Sequence, residues 1–334
     1  MKLTPRKIRI EPDAQNFLIC DRLQRQFTEK VTTDRQLTTD DSESAFDVKS
    51  RWDISLTHGF EITKMGEGTA NPACDYDIEF IHGCPHQCHY CQQLEITARY
   101  PFIAIYPDLQ KLYTELKSIM KMETKRKVVF ETGNLTDMVA MDRLTGILSD
   151  MTSFWANELD DRAYLQVLTK SDNIENLLSI NHQGKVRIGY SINLPDLIRR
   201  YETYTATFPE RLNALHALIQ YGYPVHISFS PIIYRKGIEL RYEELMHRIK
   251  SYLQMCPEYD ETKLSLEVLV MFQSEKNAAF IRKFYPQTAS ELLETLEERD
   301  GRLQYPEEIY DHLIRFLTRC IKTYFPRANV LFIS

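Results

Sequence analysis

Residues 81–91 read IHGCPHQCHYC and place three cysteines, Cys84, Cys88 and Cys91, at C-x3-C-x2-C spacing. The stretch from Tyr76 to Ile81 reads as a strand, so the cysteines fall on a loop that follows it. Thiolates are soft metal ligands, and three of them on one short loop can bind one metal centre with little loss of chain entropy. The sequence therefore predicts a metal centre held by these cysteines.

The number of cysteines restricts the kind of centre. A structural zinc site has four protein ligands, and an iron–sulfur cluster held entirely by protein uses four cysteines. Three cysteines on a [4Fe–4S] cluster leave one iron with an open coordination position, where a substrate-like molecule can bind and receive an electron. We therefore favour a cluster with one open iron.

Two alternatives remain open for this loop. A Cys3His zinc knuckle could use His82, His86 or His89, although structural zinc motifs usually present two separated pairs of ligands, and the chain has no second C-x2-C pair. The cysteines could also be free or disulfide-bonded. The spacing, with the aromatic Tyr90 before the last cysteine, resembles the loop of radical S-adenosylmethionine (SAM) enzymes.

The composition is that of a soluble globular enzyme. The chain has 334 residues, of which 43% are hydrophobic and 26% charged, and its net charge is −6. The negative charge argues against broad, nonspecific nucleic-acid affinity, although a local basic groove would be compatible with it. We find no apolar run near the roughly 20 residues that span a bilayer, and no apolar segment behind the N-terminus. We therefore expect a cytoplasmic protein without a membrane segment.

The order of predicted elements indicates the fold. From residue 76 onward, strand-like runs alternate with helical periodicity, as in parallel βαβ units with right-handed crossovers. This predicts an α/β fold, a partial (β/α)6 barrel over residues 76–334, with residues 1–75 as an N-terminal extension packed on it. The predicted strands are 76–81, 126–131, 163–169, 186–192, 225–230 and 264–271, and the predicted helices include 108–120, 209–220, 242–253 and 307–325.

Polar residues end three of these strands, at the edge where barrels of this kind place their sites. Thr136 follows the second strand, where it could contact SAM, although it or Asp137 could simply cap a helix. Lys170 follows the third strand and could pair with the SAM carboxylate or be solvated. Ser191 lies in an otherwise apolar strand, so its hydroxyl needs a partner from protein or ligand.

Taken together, these segments resemble one family, spore photoproduct lyase, a radical SAM DNA-repair enzyme. The resemblance runs from about residue 5 to the C-terminus, and its motifs are more specific than the cysteine spacing alone. The matching segments are Gly83-Cys84, Cys88-His89-Tyr90-Cys91, Phe130-Glu131, Asp137-Met138-Val139, Thr169-Lys170, Tyr190-Ser191-Ile192-Asn193, Tyr221-Gly222-Tyr223-Pro224, Ser230-Pro231-Ile232-Ile233, Phe284-Tyr285-Pro286 and Tyr324-Phe325-Pro326.

The resemblance implies a chemistry. A [4Fe–4S] cluster, reduced by a flavodoxin- or ferredoxin-like electron donor, cleaves SAM to methionine and a 5′-deoxyadenosyl radical. In the family, that radical removes hydrogen from a thymine–thymine photoproduct in DNA, and a protein cysteine quenches the thymine radical. The resemblance also implies that Thr136, Lys170 and Ser191 contact SAM and that Tyr90 lies near it.

Three departures concern the substrate half of the site. Asn134 occupies the position of the family's hydrogen-donating cysteine, and Gln92 replaces a second tyrosine. The segment 297–306, in which Asp300-Gly301 reads as a hairpin turn, is shorter and less basic than the family's DNA-wedging hairpin. We therefore treat Tyr90 and Asn134 as the candidate catalytic positions.

Three functions fit these observations. The first is a radical SAM enzyme of this family that acts on another nucleic-acid base, nucleotide or thymine-derived substrate. The second is a genuine photoproduct lyase with another hydrogen donor, for which Cys74 is the nearest cysteine outside the loop in sequence. The third is a non-catalytic iron–sulfur protein that binds nucleic acid, against which the polar strand ends argue.

Overall fold

The computed structural model describes residues 4–33, 49–66, 74–95 and 102–334. The chain divides into two compact units, the first formed by Met1–His86 with Ile96–Arg187 and the second by Gln87–Glu95 with Ile188–Ser334. The chain passes from the first unit to the second within the cysteine loop, residues 83–91, between His86 and Gln87. Cys84 belongs to the first unit, whereas Cys88 and Cys91 belong to the second.

Strands and helices alternate along most of the described chain. The strands are β1 (Lys7–Ile10), β2 (Val31–Thr32), β3 (Arg51–Ile54), β4 (Glu61–Lys64), β5 (Tyr76–Glu79), β6 (Ile81–His82), β7 (Gln87–Cys88), β8 (Ile103–Ile105), β9 (Val128–Thr132), β10 (Ala163–Thr169), β11 (Val186–Ser191), β12 (Glu202–Thr203), β13 (Val225–Ile232), β14 (Ser265–Val270), β15 (Phe272–Gln273), β16 (Glu297–Arg299), β17 (Arg302–Gln304) and β18 (Asn329–Ile333). The helices are α1 (Leu18–Gln26), α2 (Leu109–Met122), α3 (Met138–Thr145), α4 (Ile147–Asn157), α5 (Pro195–Tyr201), α6 (Phe208–Gln220), α7 (Glu239–Leu253), α8 (Glu275–Phe284), α9 (Pro286–Leu293) and α10 (Glu307–Tyr324).

Two sheets organise the first unit. In one of them β9 pairs in parallel with both β5 and β10, and β4 pairs antiparallel with β5. The other has the order β2-β1-β3-β8-β6, in which only the β6–β8 pairing is antiparallel. On β9 the side chain of Phe130 packs edge-on against Trp155 of α4, at 5.9 Å between ring centroids. The opposite face carries polar groups, because Asp77 pairs in register with Glu131.

Parallel strands also form the second unit. β13 pairs with β11 and β14, and β14 pairs with β18, all in parallel. A two-stranded ribbon joins β7 and β12, and an antiparallel sheet joins β15, β17 and β16. The turn between β16 and β17 has positive φ at Asp300 and Gly301, which confirms the predicted hairpin turn.

The prediction of an α/β fold with parallel strands is confirmed, and each of the six predicted strands is present within a few residues of its predicted bounds. The four predicted helices correspond to α2, α6, α7 and α10. Within the described ranges, none of the helices combines the length and apolar character needed to cross a bilayer. The assignment of residues 1–75 to an extension packed on a barrel stays a prediction.

Candidate cofactor site

The cysteine loop begins at a glycine that no other residue could replace without strain. Gly83 has φ of +100°, and its main-chain N–H donates to the carbonyl of Leu135 at 3.1 Å. A Cβ at this position would lie 3.2 Å from the Cα of Ile103. The residue before Cys84 therefore has a backbone conformation that favours glycine, and a side chain at this position would be tightly crowded by Ile103.

The three loop cysteines form no disulfide bonds, and they differ in exposure. Cys88 is buried, whereas Cys84 and Cys91 are partly exposed. The main-chain N–H of Cys91 donates to the carbonyl of Cys88 at 3.2 Å, which closes the C-x2-C turn. Three cysteine side chains on one loop, two of them partly exposed, match in number and type the donor set of an iron–sulfur cluster with one open iron.

Two of the loop histidines are held by other side chains. The Nε2 atom of His86 lies 2.9 Å from a carboxylate oxygen of Asp137, and the Nδ1 atom of His89 lies 2.9 Å from the hydroxyl of Thr288. The ring of His89 also stacks on Tyr285, with centroids 4.1 Å apart. In the described part of the chain, no three His, Cys, Asp or Glu side chains, the loop cysteines included, form a group that could hold a metal ion. The contacts of His86 and His89 argue against these two residues as zinc ligands, and the choice between a cluster and a zinc knuckle stays a prediction.

Asp137 connects the loop to two strand ends of the first unit. Besides His86, its carboxylate accepts hydrogen bonds from the hydroxyl of Thr169 at 2.8 Å and from the main-chain N–H of Lys170 at 2.8 Å. It also caps α3, because it accepts from the N–H of Ala140 at 2.8 Å. Although burial favours the neutral acid, His86 and these donors lower the pKa of Asp137 to about 2. Asp137 is therefore a buried anion, and it is the helix cap at this turn.

The predicted SAM contacts lie at three strand ends. Thr136 and Lys170 follow β9 and β10, adjacent parallel strands of the first unit, and Ser191 ends β11 in the second unit. The hydroxyl of Thr136 is buried and has no hydrogen-bond partner among the described residues. Ser191 donates to the carbonyl of Ser230 at 2.8 Å. The open hydroxyl of Thr136 fits a ligand that would supply its partner.

Tyr90 is buried in the second unit. Its hydroxyl donates to a carboxylate oxygen of Glu202, and the other oxygen of Glu202 accepts from Arg211. Burial and the neighbouring charges of Glu202 and Cys88 raise the pKa of Tyr90 well above its usual value. The phenol of Tyr90 therefore stays protonated in its pocket.

Two amide side chains hold the last part of the loop. Gln273 donates to the carbonyl of Tyr90 at 2.8 Å, and Asn277 donates to the carbonyl of Cys91 at 2.7 Å. The carbonyl oxygen of Asn277 accepts from the N–H of Glu95 at 3.3 Å. Sequence reasoning missed both residues. The available signal was Ser274, which caps α8 and so fixes the position of Asn277 by accepting from its N–H at 3.0 Å.

The substrate-half position Asn134 lies in an acidic corner of the first unit. We call this group the Asn134 corner; it comprises Cys74, Asp77, Glu79, Glu131 and Asn134. The amide nitrogen of Asn134 donates to Asp77 at 2.9 Å. Burial, and then the charge of Asp77, raise the pKa of Glu79 to about 9, so Glu79 is a neutral acid near pH 7.

Cys74 is the thiol of this corner. It is buried, and burial raises its pKa, with the carboxyls of Glu131 and Asp77 raising it further. The thiol is therefore fully protonated and retains its S–H bond. Sequence distance alone makes Cys74 the nearest thiol outside the loop, and the structure places it in the corner that contains Asn134.

Comparisons with known proteins give a consistent family. The family model described as "Spore photoproduct lyase" matches residues 3–334. Spore photoproduct lyase of Bacillus subtilis (strain 168) is 27% identical over 268 residues, covering 78% of this chain and 77% of that protein. The protein of the same name from Geobacillus sp. (strain Y412MC61) is 25% identical over 342 residues, covering 99% of this chain and 98% of that protein.

Solved structures show the same fold. Spore photoproduct lyase complexed with dinucleoside spore photoproduct matches with a TM-score of 0.89 at 24% identity, covering 100% of both chains. A mutant of spore photoproduct lyase with bound AdoMet and dinucleoside spore photoproduct gives the same TM-score, identity and coverage. AdoMet is SAM, so the relative in that structure binds the cofactor that the cysteine spacing predicts.

Proposed function

This chain belongs to the spore photoproduct lyase family and is a radical SAM enzyme. From this premise we propose that Cys84, Cys88 and Cys91 hold a [4Fe–4S] cluster. We also propose that the fold is a partial (β/α)6 barrel. When bound, the cluster supplies the electron that cleaves SAM to methionine and a 5′-deoxyadenosyl radical. The observation that carries the proposal is the set of three cysteines, none of them in a disulfide, on a loop where His86 and His89 contact other residues. A flavodoxin- or ferredoxin-like protein of the cytoplasm is the proposed electron donor.

Thr136, Lys170 and Ser191 are the proposed SAM contacts. The Thr136 hydroxyl, which is buried without a partner in the described chain, can donate to a carboxylate or accept from an ammonium group. The ammonium group of Lys170 suits the SAM carboxylate, and the main chain of Lys170 is fixed by Asp137. Because the Ser191 hydroxyl already donates to Ser230, it would serve SAM as an acceptor.

The proposed substrate is a nucleic-acid base or a thymine-derived group other than the usual photoproduct. Asn134 stands where the family has its hydrogen-donating cysteine, and its amide N–H is directed at Asp77. An amide N–H is too strong a bond to return a hydrogen atom to a carbon radical, so Asn134 cannot repeat the family step. Its carbonyl oxygen remains an acceptor that suits an imide or amine N–H of a base.

Anaerobic reconstitution tests this proposal. Protein with iron, sulfide, SAM and dithionite should form 5′-deoxyadenosine, and the Cys88→Ser variant should form none. The rate should be compared with and without DNA that contains spore photoproduct. Full and clean repair of that DNA by the wild-type protein would contradict an altered substrate, and failure to form any 5′-deoxyadenosine would contradict the radical SAM assignment at this site.

A second function, genuine photoproduct repair, is favoured by one observation. The Cys74 thiol is protonated and lies in the same corner as Asn134, within reach of the charges of Glu131 and Asp77. A thiol can give its hydrogen atom to a thymine radical and become a thiyl radical, which a thiolate cannot do. If Cys74→Ala abolished clean repair that the wild type performs, Cys74 would be the donor; unchanged repair would direct attention to Tyr90.

A further inference from the structure

A buried ion pair in the second unit has no role in the chemistry described so far. Arg211 is 0% exposed, and its guanidinium contacts the carboxylate of Glu202. All three guanidinium nitrogens donate hydrogen bonds, because the group also reaches the hydroxyl of Thr205 at 2.8 Å and the carbonyls of Ala206 at 2.9 Å and Ser191 at 2.8 Å. Arg211 is therefore fixed on several sides.

Glu202 transmits this rigidity to the cysteine loop. Its second carboxylate oxygen accepts the hydroxyl hydrogen of Tyr90, the residue between Cys88 and Cys91. Its main chain pairs with Cys88 in the ribbon of β7 and β12. Glu202 thus contacts the loop at two points, Tyr90 through its side chain and Cys88 through its backbone.

The buried ion pair of Glu202 and Arg211 is expected to contribute little to the free energy of unfolding. Desolvation of two buried charges consumes much of their attraction, and well-packed apolar replacements of buried ion pairs are often neutral or stabilising. What the pair supplies is geometry, because a planar guanidinium and a carboxylate fix direction as well as distance. The groups fixed in this way are Tyr90 at one end and the carbonyl of Ser191 at the other.

We propose that Glu202 and Arg211 are positioning residues for the cofactor, which fix Tyr90 between Cys88 and Cys91 and tie this part of the loop to the end of β11 at Ser191. The inference rests on the proposed function, since it takes Cys88, Cys91 and Ser191 to bind cofactors. Neither residue touches the reacting atoms; both act through Tyr90 and the backbone.

The test combines Glu202→Gln with Arg211→Met. Both charges are removed at once, so that no buried charge remains without its partner. The matched control combines Glu261→Gln with Lys250→Met. Glu261 is also buried and ion-paired, but it accepts from the main-chain N–H of Arg327 at 2.6 Å and so holds the start of the C-terminal strand. A general loss of buried charge would affect both double variants, whereas a positioning role affects the first alone.

Two measurements decide the outcome. In the apoprotein, amide hydrogen exchange of residues 87–92 should become about tenfold faster in the first double variant and stay unchanged in the control. In reconstituted protein with full iron content, SAM affinity should fall about tenfold and the spectrum of the reduced cluster with SAM should change. Unchanged exchange and unchanged affinity would overturn the proposal.

A further variant covers the case in which the double variant does not fold. Tyr90→Phe removes only the hydroxyl that donates to Glu202, and it should also speed exchange of the loop; no change there would equally overturn the proposal. The apoprotein exchange also separates the two hypotheses. If the wild type bound no SAM, the proposed function would fail, while faster loop exchange would still show that Glu202 and Arg211 position the loop.

Discussion

Asp137 and Glu79 are two carboxyl groups of the first unit that lie in opposite electrostatic states. Asp137 accepts hydrogen bonds from Thr169, Lys170 and Ala140 and contacts His86, and its pKa falls to about 2. Glu79 has one carboxylate oxygen without a partner among the described residues, and burial raises its pKa to about 9. Burial opposes ionisation in both, but His86 and several donors stabilise the anion of Asp137, whereas the like charges of Asp77 and Glu131 oppose the ionisation of Glu79.

The difference separates the surroundings of Asp137 from the Asn134 corner. The chain satisfies the carboxylate of Asp137 and through it holds His86 of the cysteine loop, whereas the neighbouring Thr136 hydroxyl has no partner among the described residues. In the Asn134 corner an oxygen of Glu79 lacks a partner among the described residues, and Asn134 itself is exposed. Both regions therefore keep one buried polar atom, on Thr136 and on Glu79, to which a bound ligand could supply a hydrogen bond.

The largest expected effect comes from removing a thiolate. Cys84→Ala, Cys88→Ala and Cys91→Ala should each abolish the cluster, because two thiolates leave a second iron of the [4Fe–4S] cluster without its cysteine ligand. Iron content and the visible absorption of anaerobically purified protein measure this. Colourless wild-type protein with stoichiometric zinc that iron could not replace would contradict the cluster.

The next effect concerns SAM affinity. Lys170→Ala should weaken SAM binding by roughly 10- to 150-fold, since loss of a charge-assisted contact costs about 1.5–3 kcal/mol. Ser191→Ala should weaken it less, because the Ser191 hydroxyl already donates to Ser230 and would serve SAM only as a neutral acceptor. Titration of SAM into reconstituted protein gives both values, with an unchanged cluster spectrum as the control. Wild-type affinity in both variants would remove these residues from the site.

The two carboxyls should give opposite pH dependences of stability. The folded pKa of Asp137, about 2, lies below the usual unfolded value near 3.9, so its stabilisation is complete above that value and is lost as pH falls through about 2. Asp137→Asn should therefore destabilise the protein at pH 7 by about 2–3 kcal/mol and flatten the acid limb. Chemical denaturation between pH 2 and pH 7 measures this.

For Glu79 the sign reverses. Its folded pKa, about 9, lies above the unfolded value near 4.3, so the protein loses stability as pH rises from that value toward 9. Glu79→Gln should therefore stabilise the protein at pH 8 by about 2–4 kcal/mol and leave stability at pH 4 nearly unchanged. If Glu79→Gln and Asp137→Asn shifted stability in the same direction at pH 8, the contrast between the two regions would be wrong.

The smallest effect on stability is expected at Asn134, which is exposed. Asn134→Cys should change the free energy of unfolding by less than about 0.5 kcal/mol. If the pocket otherwise accepts the photoproduct, this variant should raise the fraction of clean repair, because it restores a weak S–H bond at the family's position. Product analysis by mass spectrometry measures that fraction, and Asn134→Ser provides a control of similar size without a thiol.

The sequence predicted the elements that are local and periodic. Runs and periodic patterns of apolar residues predicted strands such as β9 and β10 and helices such as α2 and α6. The C-x3-C-x2-C spacing predicted a metal centre at the loop. β18 was not predicted, and its short run, 329–333, joins the sheet only through its parallel pairing with β14. The sheet that joins β1 and β3 with β8 was not predicted either, because its strand pairings connect residues that are far apart in the sequence.

The supporting residues of the site were harder to predict for the same reason. The side chain of His86 contacts Asp137, which lies 51 positions later in the sequence, and the hydroxyl of Tyr90 donates to Glu202, which lies 112 positions later. Single Asp, Glu or Asn residues in loops carry no local pattern that reveals such partners. Arg211 did leave a signal, since it lies at helical spacing from Leu215 and Leu218 on the apolar side of α6, where a charged residue needs a buried partner.

The hydrogen bonds of Gln273 and Asn277 to the cysteine loop have a consequence for the order of events during synthesis. These two residues are separated from Tyr90 and Cys91 by 183 and 186 positions. A ribosome that has just released the loop must still translate more than half of the chain before the holding side chains exist. The loop therefore lacks these two hydrogen bonds throughout that interval, and a cluster delivered then would meet a loop whose Tyr90 and Cys91 carbonyls are not yet held. We therefore expect the proposed metal centre to be loaded after translation of the C-terminal half.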